Sequence, residues 1–259
     1  LDTHRVAHLV TKMRKAGRAK EAIAIVETHV RSHTGHDHLN LYEIEALAEA
    51  EPIGFVRRLL PWFVELAYSE VEPDRSYKDQ FPTSRALGWE WDHHNRQGEV
   101  FWALRLALEA AARLAPQTLY AIVEPYLQAE IEQVQSLLAD TLAAAGPALA
   151  GEAHAFLLAD PRRFGTGDAR GTSGNTIQTI HGWSACQLVA AIVPGLDDEQ
   201  LVSLRDAILR WSGYSDQTWA GFSASEKRAR LPWIAEARAP LLESIPGELQ
   251  TLQCCAERG

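Results

Sequence analysis

The sequence predicts an all-α fold, organised as an α-solenoid of stacked antiparallel helix pairs of the tetratricopeptide or HEAT type, with no sheet. Apolar residues recur at helical spacing along almost the whole chain, and no stretch shows clean period-two alternation. Short breaks that contain proline or glycine separate the helices. The pairs repeat every 35–50 residues or so, which falls in the range of such arrays.

The first helix pair is predicted at the N-terminus. Helix one runs from about Thr3 to Ala16 and stops at Gly17, and helix two runs from about Ala19 to His33. The connection between them looks like the tight turn of a tetratricopeptide hairpin, in which a small residue lets the second helix lie close against the first.

Two more helices are predicted before a long irregular segment. The third is marked by apolar residues between Leu41 and Ala48, and the fourth opens at Pro52, where the missing N–H costs nothing. Pro61 lies inside the fourth helix, which predicts a kink or a break. Residues 72–98 then show no sustained period, and segments of that length without secondary structure are often functional.

Helical periodicity resumes near Val100. Prolines mark the expected starts of three further helices at positions 116, 125 and 147, and the helix from Pro125 is predicted to end near Gly146. A second irregular segment, Arg162–Asn175, is rich in Gly, Thr, Ser and Arg. The apolar spacing from Ile177 onward again predicts helix.

The last third begins with a clear helix start. Asp197 is a good N-cap and Gln200 occupies the capping-box position. A third loop follows at residues 213–223, and one or two helices are predicted around Leu231 to Leu242.

Together these elements predict N-terminal helical pairs (1–71), an irregular Trp-containing loop (72–98) and C-terminal helical repeats (99–259). We expect them to form one continuous solenoid. A start at Leu1 and an end at Gly259 without a clear terminal element indicate a segment of a larger protein.

Composition narrows the classes of partner. The formal net charge is −9, with 34 acidic and 25 basic side chains, which disfavours nucleic acid as the main partner. No apolar run approaches ~18 residues and no signal peptide is recognisable, so we expect no membrane span. The chain has 3 cysteines, two of them adjacent, which is typical of a reduced, cytoplasmic protein.

Two histidine groups are the candidates for metal ligation. His33, His36 and His38 surround Asp37, and Asp-His-His occupies residues 92–94. Imidazole and carboxylate groups suit zinc, but a structural zinc site in a cytosolic protein usually recruits cysteine. We therefore expect no metal and no cofactor, and a helical metal-dependent enzyme remains an alternative.

Motifs for catalysis are weak. The segment Gly165–Gly174 superficially suggests a phosphate-binding loop, but it lacks the lysine, the glycine spacing and the preceding strand of a P-loop. No nucleophile elbow or His-Glu-x-x-His pair is present. Cys186 has His181 nearby, yet its apolar surroundings favour core packing over an activated thiolate. We expect no catalysis by this segment.

Aromatic and arginine side chains in the irregular segments are the candidates for protein binding. They are Trp89 and Trp91 in the first segment and Arg162 and Arg163 in the second. These residue types dominate binding hot spots. Further aromatic residues lie in or beside the third loop, at positions 211, 214 and 219. The alternative is that the rings fill gaps between helical layers.

Three runs resemble a known family. They are Ala46–Phe55 with its continuation Leu60–Glu65, Arg85–Asp92, and Ala155–Arg163. Together they resemble the helical-repeat regions of bacterial STAND-type NTPases of the NACHT/AVAST kind, which are implicated in defence against phage. The resemblance covers roughly Ala46 to Ile245.

The resemblance implies a role in recognition. In that family an effector and a P-loop ATPase precede a long repeat array, which binds a foreign protein and licenses ATP-driven oligomerisation. This chain has neither a Walker motif nor an effector, so the resemblance assigns it no catalytic residue. It implies a non-catalytic repeat portion whose partner is a phage protein or a neighbouring domain. A free-standing adaptor for an endogenous peptide or protein is the first alternative.

Overall fold

The computed structural model describes residues 3–32, 41–69, 71, 81–84, 96–167, 169–173, 176–180 and 182–247. These residues are predominantly helical, so the predicted all-α fold class is confirmed. In chain order the helices are α1 (Thr3–Lys15), α2 (Ala19–Ser32), α3 (Leu41–Ala50), α4 (Pro52–Ser69), α5 (Arg96–Leu114), α6 (Pro116–Val123), α7 (Glu132–Ala145), α8 (Ala150–Ala159), α9 (Trp183–Ile192), α10 (Asp198–Arg210), α11 (Asp216–Gly221) and α12 (Ala224–Glu243).

The chain divides into two compact units. The first comprises Leu1–Glu72 and Thr83–Val134, and the second comprises Pro73–Pro82 and Gln135–Gly259. The division therefore falls within α7 and differs from the predicted boundary at residues 72–98. The reason is that α5, which we assigned to the C-terminal repeats, packs against α3 and α4.

In the first unit, helices pack on their near neighbours in the sequence. α1 packs on α2, α3 on α1 and α2, α4 on α2 and α3, α5 on α3 and α4, and α6 on α4 and α5. Among the described helices of this unit, every extensive contact thus joins elements one or two places apart in the chain. The contacts are apolar: Phe55, Leu59, Phe63, Leu104 and Leu108 are fully buried.

The turn between α1 and α2 confirms the predicted stop at Gly17. Gly17 has φ +72°, the left-handed conformation that favours glycine at this position after a helix. Its N–H donates to the Arg14 carbonyl at 3.0 Å, and the Arg18 N–H donates to the Met13 carbonyl at 2.9 Å. A Cβ on Gly17 would meet nothing within 4 Å. Glycine is therefore needed here for its backbone conformation, and close helix packing places no demand on it.

Two prolines were expected to shape the helices. α4 continues through Pro61, so the expected alternative of a break there is wrong, and the alternative of a kink stays a prediction. Pro125 lies in a 3-10 turn, Glu124–Tyr126, and α7 begins only at Glu132, so the single helix expected from Pro125 to Gly146 is wrong. The intervening backbone finds other partners, since the Glu130 N–H donates to the Tyr68 hydroxyl at 2.8 Å.

The second unit packs α8 against α9 and α10, and α12 against α9 and α10. Short 3-10 turns at Gly146–Leu149, Pro161–Gly165 and Val193–Gly195 reverse or redirect the chain. Asp197 caps α10 as predicted: its carboxylate accepts from the Gln200 N–H at 2.8 Å, and the Gln200 side chain accepts from the Asp197 N–H at 3.1 Å.

A β-hairpin corrects the expectation of no strands. β1 (Ala169–Ser173) pairs antiparallel with β2 (Thr176–Ile180), in a register that sets Ala169 opposite Ile180. Ile177 and Ile180, assigned to a helix from their spacing, lie in β2. Threonine and isoleucine favour extended backbone, and the two-residue connection suits a hairpin.

The base of the hairpin is fixed by two glycines with positive φ, which is +80° at Gly167 and +73° at Gly182. The Trp183 N–H donates to the Gly167 carbonyl at 2.6 Å, and the Ala185 N–H donates to the Thr166 carbonyl at 3.3 Å. A Cβ on Gly167 would lie 2.2 Å from the Ser184 hydroxyl oxygen. The two ends of the hairpin thus meet at one closely packed point.

Among the residues that the structure describes, one helical stretch is long and apolar enough to cross a membrane by length and composition. Residues Glu132–Ala159 have a mean hydropathy of 1.3 over the best window, of which 44% is buried. Gly146, with φ +55°, ends α7, and a 3-10 turn separates it from α8. A buried core helix has the same length and composition, so this stretch is weak support for a membrane span.

Candidate protein-binding site

Trp89 and Trp91 lie outside the described residues, as do both histidine groups and His181. Their predicted roles stay predictions. The two other residues predicted to bind protein, Arg162 and Arg163, lie in the 3-10 turn Pro161–Gly165 of the second unit. That turn is capped by Asp160, whose carboxylate accepts from the Arg162 N–H at 2.9 Å.

Arg162 is held at the surface by a carboxylate and a ring. Its Nη2 lies 2.7 Å from Oδ2 of Asp160, and its guanidinium lies 4.2 Å from the centre of the Phe81 ring. The side chain retains 28% of its exposure. Arg162 is therefore partly exposed at the surface, in a geometry that these two contacts help to fix.

Asp160 is the acidic half of this arrangement. Burial opposes ionisation, but side-chain and backbone hydrogen bonds from Arg162 outweigh it and lower the pKa of the Asp160 carboxyl. The group is thus ionised at neutral pH and pairs with Arg162 as a charged partner.

Arg163 is buried, at 1% exposure, and the prediction that it contacts a partner is wrong for this folded unit. Its Nε donates to Oε1 of Gln135 at 2.9 Å and its Nη1 donates to the Phe156 carbonyl. The guanidinium also lies 4.2 Å from the centre of the Phe156 ring. Burial lowers the pKa of Arg163, against the charge of Asp160. Arg163 joins α7, α8 and the following turn from within.

A second arrangement combines aromatic rings from the third loop and α12. Tyr214 stacks against Trp219 at a centroid distance of 6.0 Å, and its ring meets Phe222 edge-on at 5.1 Å. Trp233 of α12 meets Tyr214 edge-on at 6.2 Å. All four rings are half-buried. Gly213 lies under Trp233, since a Cβ there would come within 2.7 Å of that ring.

Two cations cover these rings. The Arg230 guanidinium lies 4.0 Å from the centre of Phe222 and 5.9 Å from that of Tyr214, and the Lys227 ammonium lies 5.8 Å from the centre of Trp219. Such distances are within the range of cation–π attraction. We call the set of Tyr214, Trp219, Phe222, Lys227, Arg230 and Trp233 the aromatic–basic patch.

Local sequence explains how α12 presents these cations. Ser223 caps the helix: its hydroxyl accepts from the Glu226 N–H at 3.3 Å, and the Glu226 carboxylate accepts from the Ser223 N–H at 2.8 Å. The Ser223 hydroxyl also donates to the Glu226 carboxylate at 2.7 Å, and this hydrogen bond, together with the one from the Ser223 N–H, lowers the pKa of Glu226. Lys227, Arg230 and Trp233 then follow at intervals of three residues, on one side of the helix.

The sequence pointed to Tyr214 and Trp219 but missed Phe222, Lys227, Arg230 and Trp233. The three-residue spacing in α12 was the available signal. The spacing indicates a shared surface only together with the contacts between the loop rings and α12, which the sequence does not give.

Cys186 does not resemble an activated nucleophile. Burial raises the pKa of its thiol to about 11, so the thiol is protonated at neutral pH. Within the described ranges, no group of three His, Cys, Asp or Glu side chains is arranged to hold a metal ion.

No protein-family profile, curated protein or solved structure matches this chain. In the part of the chain that the structure describes, it is an all-α protein with a β-hairpin and with the half-buried aromatic–basic patch in its second unit.

Proposed function

We propose that this chain is a non-catalytic helical-repeat scaffold for protein recognition. The observation that carries the proposal is the contact pattern of the first unit, in which each helix packs mainly on those one or two places away. A one-dimensional pattern of this kind is typical of solenoid repeats, whose core does not depend on the residues of the outer surface.

The described surface supports recognition. Trp, Tyr and Arg are the residues that contribute most to protein interfaces. In the second unit they occur half-exposed in the aromatic–basic patch and at Arg162. Rings and guanidinium groups that are already packed against one another lose little conformational entropy on binding.

We further propose that the chain is the sensor or repeat portion of a larger bacterial STAND-type defence NTPase, as the sequence resemblance implies. Its partner would be a phage protein or a neighbouring domain, and oligomerisation would depend on the parent ATPase. We propose a cytoplasmic location, with neither nucleic acid nor a membrane as partner, because of the acidic net charge and because the cysteine pattern of the sequence is typical of a reduced compartment.

Co-expression with candidate phage proteins tests this function. We expect one phage protein to cross-link to the chain and to co-purify at a fixed ratio. Replacing Trp89 and Trp91 by alanine should weaken capture without changing helicity. Trp183→Ala is the matched control, because Trp183 is a tryptophan that is 42% exposed outside that segment. A panel of phage proteins that all fail to bind the parent protein would contradict a sensor role.

The alternative of a free-standing adaptor is distinguished by the reading frame. A frame that continues upstream into a Walker motif supports the NTPase proposal, and a frame that encodes only this chain supports the adaptor. The alternative of a metal-dependent enzyme is tested by elemental analysis, since a folded sample without bound metal contradicts it.

A further inference from the structure

The aromatic–basic patch concentrates positive charge on a chain of the opposite sign. The N-terminal half of α12 carries three cations, Lys227, Arg228 and Arg230. Its single carboxylate, Glu226, already accepts hydrogen bonds from Ser223. Within the described part of the chain, none of these three cations pairs with a carboxylate within 4 Å. The whole chain has 34 acidic and 25 basic side chains.

The cations are also pre-oriented. Arg230 stacks on Phe222 and donates one Nη1 hydrogen bond to the Glu226 carbonyl at 3.0 Å. Arg228 donates through Nε to the Ala224 carbonyl at 3.3 Å. A guanidinium has five N–H donors, so most of them stay available for a carboxylate. A cation–π contact with a ring holds the group in place without using its N–H donors for a hydrogen bond to an oxygen.

Apolar side chains lie next to Lys227 and Arg230. Leu231 is 52% exposed and follows Arg230 directly, one helical turn after Lys227. The half-buried ring of Phe222 also lies against Arg230. A ligand that reaches both cations thus also reaches apolar surface, the combination from which interface hot spots are built.

We propose that the aromatic–basic patch, together with Leu231, is a docking site for an acidic protein segment that carries an aromatic or leucine anchor. The inference rests on the proposed recognition function and names its site and the chemistry of its partner. Charge complementarity selects an acidic segment. A nucleic-acid strand is the poorer fit because bases need open ring faces, and here Arg230 and Lys227 cover the faces of Phe222 and Trp219.

Panning a displayed library of random peptides of about 16 residues on the immobilised full chain tests the site, since such lengths reach across a hot-spot cluster. We expect enrichment of peptides with net negative charge and an aromatic or leucine residue. The most enriched peptide, labelled with fluorescein, then gives Kd values by anisotropy. Lys227→Ala/Arg230→Ala should weaken its binding about tenfold or more, the scale of one or two charge-assisted hydrogen bonds.

Arg210→Ala is the matched control, because Arg210 is an exposed arginine of the same unit at the end of α10. It should leave Kd unchanged. Circular dichroism checks that the double variant is folded. If it is not, Leu231→Asp and the salt dependence of wild-type binding replace it: both the aspartate and 300 mM salt should weaken binding.

Several outcomes overturn the site. They are enrichment of neutral or basic peptides, no enrichment, equal affinity for the double variant, tighter binding of oligo-dT than of peptide, and a changed oligomeric state in the double variant. The function fails separately, if phage-protein capture fails while acidic peptides still bind the patch. Capture that persists in the double variant leaves the function standing without this site.

Discussion

Among the described glycines of the second unit, Gly167 leaves the least room for an added side chain. Its φ of +80° disfavours any L side chain, and a Cβ would lie 2.2 Å from the Ser184 hydroxyl and 2.8 Å from the Ser184 backbone nitrogen. The contact between this Cβ and the Ser184 backbone nitrogen could be relieved only by a shift of the backbone.

Gly167→Ala should therefore lower the free energy of unfolding by about 2–4 kcal/mol, from the combined cost of a strained φ and overpacking. Urea denaturation measures the change. Gly221→Ala serves as the control, because Gly221 has no positive φ and nothing within 4 Å of an added Cβ. The control should be within about 1 kcal/mol of wild type. Equal stability of the two variants would contradict the tight packing at the hairpin base.

Asp160 predicts a dependence of stability on pH. Its folded pKa lies below the ordinary value of 3.8, so its ion pair with Arg162 stabilises the fold at neutral pH and is lost as the pH falls through the folded pKa. Asp160→Asn keeps an acceptor for the Arg162 N–H but removes the charge. We expect it to cost about 1 kcal/mol at pH 7.

The difference between wild type and Asp160→Asn should shrink below pH 4 and vanish once the carboxyl is protonated. Urea denaturation at pH 7, 5 and 3 measures it. A difference that stays constant over that range would show that the Asp160–Arg162 pair contributes no charge-dependent stability.

The structural roles of some residues could be predicted from the sequence, and those of others could not. Gly17 and Asp197 were predicted correctly because their roles depend on neighbours within a few positions. Arg163 was not, because its burial depends on Gln135, 28 positions away. An arginine in a polar loop is usually exposed. The residues close to Arg163 in the sequence do not indicate that its side chain has a buried hydrogen-bond partner.

At the scale of elements, α10 offers a direct test of local capping. Asp197→Ala removes the side-chain acceptor for the Gln200 N–H, and we expect a loss of about 1 kcal/mol. Thermal or urea unfolding measures it. Glu199→Ala, an exposed acidic residue in the same first turn, should cost only a few tenths of a kcal/mol, about the value of a dipole interaction. Equal losses would mean that charge matters here and the cap does not.

Helices were predicted well as elements, and the exceptions have physical reasons. α4 tolerates Pro61 because the helix is buried on most sides, with Leu60, Trp62 and Phe63 in the core. The hairpin was missed because β1 and β2 are only five residues each, too short for alternation to stand out. Its threonines and isoleucines carried the signal that spacing did not.

At the scale of the whole molecule, sequence predicted the succession of helices but not their grouping. α5 belongs to the first unit because its apolar residues pack against α3 and α4. The boundary between the two units therefore falls later in the chain, within α7. Periodicity identifies the apolar face of a helix, but it does not identify the helix that covers it.

The net charge gives a prediction for the whole chain. With −9 formal charges it should repel duplex DNA despite the local cations of α12. A labelled duplex of about 30 base pairs should show no anisotropy change with protein up to about 50 µM at 150 mM salt, a concentration within the range of about 1–100 µM in which non-specific DNA binding is usually detected. A salt-sensitive Kd in the low micromolar range would contradict this and reopen nucleic acid as a partner.

The base of the hairpin has a consequence for engineering. Gly167 and Trp183 are joined directly by a backbone hydrogen bond, so the chain leaves and re-enters the helical body at almost one point. A foreign domain whose termini lie close together can replace the hairpin tip there while both anchoring glycines remain. The hairpin is thus a suitable insertion site for a fluorescent reporter. We expect an insertion there to leave the packing of α8 against α9 unchanged.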